Sequence, residues 1–295
     1  MSIELTHFRI DSSADNRTTV WIDVAGRPVN VLWESVFDDL EILLNEVGRS
    51  VPGNTPLVLR SGKPTGFAVG ADLKRIAMIE SDAEIKAFLE RGQRLYDRLS
   101  RLPMPTVALI EAACLGGGLE LAMACRYRFL IDTPRIQLGM PETKLGLIPG
   151  WGGTQRLVRL VGIDKGLEML VKGDPVNVQT AIKIGLADAS CRPEELEPCL
   201  NEFLSDLSSK PPRRVETESP KLKEPTENLA AFAAFVPTLG TLTPSQLAVV
   251  RAVEQGLRLS FQAGLDAERN QFFALLMSSD VRTALDRFTN RGSRA

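Results

Sequence analysis

The sequence predicts an α/β fold whose C-terminal part is wholly helical. Two observations carry this reading. Over the first ~190 residues, short apolar or β-branched runs alternate with stretches of helical periodicity, as packed strands and helices require. After Thr243 only helical spacing remains, and a polar, Pro-rich stretch over 208–228 separates the two regimes. The expected division is a core over 1–190 and a helical region over 191–295, with the 208–228 stretch as an exposed connector.

Thr18–Val24 is β-branched and reads as a strand. Val36, Phe37, Leu40, Leu43, Leu44 and Val47 then repeat at helical spacing. Leu57–Arg60 is a short apolar run, followed by the loop SGKPTGFAVGAD over 61–72. A helix is expected from about Asp82 to Ser100, opened by a capping box from Ser81 to Glu84 and ended before Pro103 and Pro105. Its apolar face is Ile85, Phe88, Leu89, Leu95 and Leu99. Thr106–Glu111 reads as a buried strand that runs through ACLGGG into a helix, LELAMAC. Arg128–Asp132 is the next strand, and a loop from Gly139 to Gly153 follows, with glycines at 139, 146, 150, 152 and 153. In the tail, Thr243 as N-cap and Pro244 at the first helical position open a helix. No internal repeat is visible.

Composition excludes several function classes. With 44% hydrophobic and 24% charged residues the chain is an ordinary globular one, and a net charge of −2 gives no pull toward nucleic acid or an anionic membrane surface. The N-terminus lacks a basic region followed by an apolar core, and no run reaches ~18 apolar residues, so a soluble protein without an export address is expected. The cysteines at 114, 125, 191 and 199 form no CxxC pair; buried free thiols are expected, not a metal site. The only histidine, His7, lies outside every candidate loop, which removes histidine-dependent triads and the common zinc hydrolase sites. Acid–base chemistry here falls to carboxylates.

Gly116-Gly117-Gly118 opens a helix whose N-terminal amides point back at the loop, and Gly70-Ala71-Asp72 is a second small-residue turn. Two N–H groups aimed at one oxygen would make an oxyanion hole; a tight strand–helix turn is the simpler reading. A phosphate cradle fits poorly, because GGGLEL matches neither glycine-rich phosphate motif and places a glutamate two residues after the last glycine. Glu120 sits in the first turn of an apolar helix, as a dipole partner or an active carboxylate. Glu142, on a glycine-rich loop, reads as a solvated surface charge or as a second active carboxylate.

The segments GADLK (70–74), CLGGGLELAMAC (114–125), LGMPETKLGLIPGWGGTQRLVRLVG (138–162) and AIKIGLAD (181–188) resemble the enoyl-CoA hydratase/isomerase (crotonase) family in order and spacing. The likeness runs from about residue 15 to the end. It is strongest to the N-terminal hydratase portion of the multifunctional fatty-acid oxidation enzymes, whose helical tail resembles residues 243–290. The resemblance implies a crotonase fold, a spiral of ββα units with a C-terminal helical region. It implies oxyanion-hole amides at Ala71 and Gly117, catalytic carboxylates at Glu120 and Glu142, and substrate contacts from Ala71, Asp72, Leu73, Lys74, Gly117 and Gly150, with Lys74 near the CoA moiety. Glu120 would take the proton of water and Glu142, protonated, would deliver one to carbon.

The activity implied is hydration of a 2-trans-enoyl-CoA to a 3-hydroxyacyl-CoA in fatty-acid β-oxidation, in the cytoplasm, with no metal and no cofactor beyond the CoA of the substrate. Alternatives are a Δ3-Δ2 enoyl-CoA isomerase or a non-catalytic acyl-CoA-binding subunit. Assembly as a homo-trimer or hexamer, or with a dehydrogenase or thiolase partner, goes with the resemblance. Three positions depart from the family pattern. Ala112 and Val69 are bulkier than usual and are expected to narrow the acyl site, and the ring of Trp151 either shapes the acyl pocket or packs.

Overall fold

The computed structural model describes residues 4–12, 17–79, 81–208, 216, 219, 221–283 and 285. The chain forms two compact units, each assembled from three separate segments: 1–70, 94–138 and 176–214 in the first, 71–93, 139–175 and 215–295 in the second. The expected single cut near residue 190 therefore does not coincide with the units.

The first unit holds a six-stranded sheet in the order β1 (Phe8–Ser12), β2 (Thr18–Ile22), β3 (Leu57–Ser61), β5 (Thr106–Ile110), β7 (Tyr127–Ile131) and β9 (Ala189–Cys191). Only the β1–β2 pair is antiparallel. All five residues of β5 and of β7 are buried, as befits central strands covered on both faces. Helix α1 (Glu34–Ser50) buries Val36, Phe37, Leu40, Leu43, Leu44 and Val47, the stripe read from the sequence. Helix α8 (Leu196–Ser208) lays Leu200, Leu204 and Leu207 against Val58, Val107, Leu109 and Phe129. A second sheet of three short strands, β4 (Gly66–Ala68), β6 (Ala113–Leu115) and β8 (Leu138–Gly139), carries the chain toward the glycine-rich segments.

Arg128 is buried within this unit. Its Nε donates to Leu186 O at 2.6 Å, Nη1 to Cys125 O at 2.9 Å, and Nη2 pairs with Asp188 at 2.9 Å. Removing one partner of a buried pair leaves an uncompensated charge, so Asp188→Ala is expected to cost about 3 kcal/mol of stability in chemical denaturation. An unchanged denaturation midpoint would refute that role.

The second unit is helical: α2 (Leu73–Met78), the first part of α3 (Asp82–Ser100), α5 (Gly153–Val161), α6 (Ile163–Lys172), α9 (Pro225–Phe235), α10 (Pro244–Arg258) and α11 (Phe261–Leu276). Between α3 and α5 in the chain, helices α4 (Gly117–Ala124) and, after α6, α7 (Val178–Ile184) belong to the first unit. Helix α10 starts as expected, with Thr243 and Gln246 closing a capping box and Pro244 in the first turn. Gln155 of α5 donates to Ala252 O and fills space that Cβ atoms at Gly256 and Gly264 would occupy, which locks α10 and α11 onto α5.

The 208–228 connector was expected to be exposed, and Lys221 and the residues from Lys223 to Glu227 are, but three of its described residues are anchored. Glu216 pairs with the buried Arg156 at 3.0 Å, the Ser219 hydroxyl donates to Arg159 O at 2.7 Å, and Asn228 is buried at the start of α9. Residues 209–215, 217, 218 and 220 lie outside the described residues. Among the described residues no helix is long and apolar enough to cross a membrane.

Candidate active site

In the first unit, β6 leads into α4 through Gly116, whose φ of 52° and ψ of −130° suit only a residue without Cβ. The Gly116 carbonyl accepts from Leu119 N at 2.8 Å and Glu120 N at 3.0 Å and closes the first turn. Gly117 is the first helical residue, a position whose N–H no helical carbonyl can reach. The hydroxyl of the buried Tyr96 donates to Gly117 O at 3.1 Å and fixes this peptide from the other side. Gly70, at φ 95°, lies so close that a Cβ on it would sit 3.2 Å from the Gly117 nitrogen. A Cβ on Gly118 would collide with the carbonyl of Ala68 on β4.

Two of the three glycines thus have separate reasons: a positive φ at Gly116 and backbone-to-backbone contact at Gly118. Gly118→Ala must push α4 off β4, and is expected to lower the unfolding midpoint sharply and abolish the α4 geometry. A variant of native stability would show that α4 has slack.

Every residue of α4 is buried, and Glu120 is only 1% exposed. A carboxylate buried in an otherwise apolar helix is costly unless it is paired or hydrogen-bonded. Its place in the first turn puts it where the helix dipole favours negative charge.

In the second unit, Asp72 is the N-cap of α2. Its side chain accepts from Lys74 N at 3.0 Å and Arg75 N at 3.4 Å. Ala71 precedes it, Leu73 is half-buried, and Lys74 is exposed at the start of the helix. Glu142 lies on a 3-10 turn, Pro141–Leu145, ended by Gly146 at φ 77°. The turn is held by Leu147 N to Glu142 O at 3.0 Å, and the Thr143 hydroxyl lies 3.2 Å from Leu170 O and Val171 O of α6. Reading Glu142 as a solvated surface charge is wrong at the atom that matters. The residue is half-buried, but its Oε2 is buried and has no hydrogen-bond partner among the described residues.

Burial pushes the Glu142 carboxyl up to about 8. The charge of Glu268 adds to the rise, while Glu142's own backbone N–H works against it. At neutral pH this side chain is therefore an acid with a proton to give.

Gly150 packs tightly, since a Cβ there would come within 2.8 Å of Leu89 and 3.2 Å of Phe272. Trp151 packs as well. It is 3% exposed, meets Phe88 edge-on at 5.5 Å, and occupies the space above Gly92 where a Cβ would collide with it. Of the two departures in the first unit, Ala112 is buried and Val69 is half-buried with its N–H on Asn30 O at 3.0 Å. His7 is engaged with Ser35 and the Ala25 amide, remote in role from any of these loops.

The sequence-predicted residues thus fall into three local groups. Gly117 and Glu120 share the first turn of α4; Ala71, Asp72, Leu73 and Lys74 share the start of α2; Glu142 and Gly150 lie on one loop. Sequence reasoning missed Glu268, Gln93 and Thr154, which surround the glycines that follow Gly150. Glu268 had a visible signal. It occupies the buried face of α11 with Gly264, Leu265, Phe272 and Leu276, in register for an apolar residue.

The family model of enoyl-CoA hydratase/isomerase matches residues 16–236. The chain is 35% identical over 274 residues to the fatty acid oxidation complex subunit alpha of Aliivibrio fischeri, covering 90% of this chain and 39% of that one. It is 33% identical over 277 residues to the subunit of the same name from Vibrio campbellii, again 39% of its length. The chain therefore spans about two fifths of the curated relatives it matches. Among solved structures, an enoyl-CoA hydratase from Bacillus anthracis superposes with a TM-score of 0.63 at 24% identity, covering 97% of this chain and 96% of that one. One from Bacillus halodurans gives 0.67 at 18% identity, covering 95% and 99%. At these identities the structures establish the shared crotonase fold.

Proposed function

Since the chain belongs to the enoyl-CoA hydratase/isomerase family, we propose that it is a hydro-lyase that adds water across the double bond of a 2-trans-enoyl-CoA to give a 3-hydroxyacyl-CoA. The observation that carries this reading is the presence of two candidate carboxylates, Glu120 buried in the first turn of α4 and Glu142 held protonated by burial. Hydration needs that pair; isomerisation needs a single carboxylate to shuttle one proton.

In the proposed reaction the thioester oxygen accepts hydrogen bonds from the Ala71 and Gly117 amides, which stabilise the enolate charge that develops. The oxygen of water bonds to C3 while Glu120 takes one of its protons. The electrons of the double bond move toward the thioester, and C2 takes the proton from Glu142. One water is added, and the two carboxyls exchange protonation states before the next turnover. Glu120 receives and Glu142 gives, the assignment the sequence resemblance implies. Asp72, Leu73, Lys74 and Gly150 are the proposed substrate contacts, with Lys74 beside the CoA. No cofactor other than the substrate's CoA takes part.

The relatives' names place them in fatty acid oxidation, and β-oxidation in the cytoplasm is the proposed setting. The proposed assembly is either a homo-trimer or hexamer, or a complex with a dehydrogenase or thiolase partner; the mass in solution distinguishes them. The test of the activity compares two substrates with one preparation. Fast loss of the conjugated-thioester absorbance of crotonyl-CoA, with slow conversion of a 3-enoyl-CoA, is the expected result. The reverse order of rates would make the chain an isomerase, and acyl-CoA binding without either reaction would make it a binding subunit.

A further inference from the structure

Asn30, in the first unit between β2 and α1, is 1% exposed, and its side-chain amide is engaged at both ends. Oδ1 accepts from Val24 N at 2.9 Å, while Nδ2 donates to Ile22 O at 3.0 Å, Ser61 Oγ at 2.9 Å and Phe67 O at 2.9 Å. Ile22 ends β2, Ser61 ends β3 and Phe67 lies in β4, so one amide ties the chain after β2 to three strands. Buried polar atoms bonded in this way resist displacement, because any shift leaves several of them without a partner.

The backbone of the same segment holds the Gly70 turn. Val69 N donates to Asn30 O at 3.0 Å, and Leu32 N donates to Gly70 O at 2.9 Å. The described residues contain no cis peptide, and in a trans peptide the C=O and N–H of one plane point in opposite directions. Gly70 O shares its plane with the Ala71 amide, so the Leu32 N–H, by holding that oxygen, turns the Ala71 N–H to the opposite side. The Gly117 amide is aimed in the same manner. The carbonyl of its own peptide, Gly116 O, accepts from Leu119 N at 2.8 Å and Glu120 N at 3.0 Å. Gly70 has little slack, since a Cβ on it would lie 3.2 Å from Gly117 N and 3.5 Å from Leu115 O.

We propose that Asn30 and Leu32 are positioning residues for the reaction: the Asn30 side chain anchors the 30–32 strap to three strands, and the Leu32 N–H, by holding Gly70 O, aims the Ala71 amide at the thioester oxygen. This rests on the reading of the Ala71 and Gly117 amides as the oxyanion hole. Both residues act through the Gly70–Ala71 peptide and not on the substrate.

The test deletes the bond in two ways. Asn30→Ala removes the anchor, and an ester in place of the Leu32 amide, made with the α-hydroxy acid of leucine, removes one N–H and keeps the side chain. The readouts, taken well below each unfolding midpoint, are kcat and KM for crotonyl-CoA and the infrared carbonyl stretch of bound butyryl-CoA carrying heavy carbon at the thioester. Butyryl-CoA has no double bond to hydrate, so its stretch reports on hydrogen bonding to the oxygen alone. Binding to the unaltered protein is expected to lower the stretch, and the ester variant should recover much of that shift. Its kcat should fall about tenfold while KM stays within about twofold, because the misaimed donor is missed most in the transition state. Asn30→Ala should move both readouts the same way and further; if it does not fold, the ester variant decides. A folded ester variant with either a native stretch or a native kcat overturns the positioning role. A stretch that binding to the unaltered protein does not lower overturns the oxyanion-hole reading itself, and the proposal with it.

Discussion

Glu142→Gln is expected to cut hydration of crotonyl-CoA by at least ~100-fold while KM changes little, because the lost group acts on the transition state and not on the CoA. Gln fits the same space, so the fold should survive and circular dichroism should be native. The pH dependence gives the sign. The acid must carry its proton, and burial has raised it to about 8. In the unaltered protein kcat/KM should therefore hold through neutral pH and fall as pH rises past that value. In Glu142→Gln this alkaline fall should vanish from the residual activity. Full activity in the variant, or an unaltered alkaline limb, would remove Glu142 from the chemistry.

Glu120→Gln should produce a loss of similar size, at least ~100-fold, for a different reason. Without a proton acceptor in the first turn of α4, water cannot be activated, yet Glu142 still faces the C2 position in the proposed arrangement. Exchange of the C2 hydrogens of an acyl-CoA with heavy water should therefore persist in Glu120→Gln and disappear in Glu142→Gln. Because α4 is buried throughout and Glu120 is 1% exposed, the stability of the variant must be measured beside its rate. Equal loss of exchange in both variants would mean that the two carboxylates do not divide the work as proposed.

Much of this was legible in the sequence where burial writes a periodic pattern. The α1 stripe, α3 from Asp82 to Ser100, the buried β5 and β7, and the Thr243–Pro244 helix start all appear where their apolar spacing or caps put them. The strands that escaped are short or lie at an edge. β1 (FRIDS) is an edge strand with four of its five residues in contact with solvent, so it carries no alternation, and β4, β6 and β8 are two to three residues long.

The two units were not legible either. A linear reading assigns neighbours to the same body, and this chain returns to each unit three times. At the candidate site, the residue types of Glu120 and Glu142 and the glycines around them were readable as motifs. What the motifs could not give was the environment of Glu142. Its rise comes first from burial, with an Oε2 that has no partner among the described residues, and then from the charge of Glu268, more than a hundred residues further along the chain. Trp151, with two readings open from the sequence, is settled as packing by Gly92 and Phe88.

The most direct test of water addition by this chain is the product formed from a 2-trans-enoyl-CoA in water carrying the heavy oxygen isotope. The account predicts a 3-hydroxyacyl-CoA with one labelled oxygen at C3, formed by the unaltered protein and suppressed at least ~100-fold in both Glu120→Gln and Glu142→Gln. Recovery of the substrate unlabelled, or of only a shifted double bond, would contradict it.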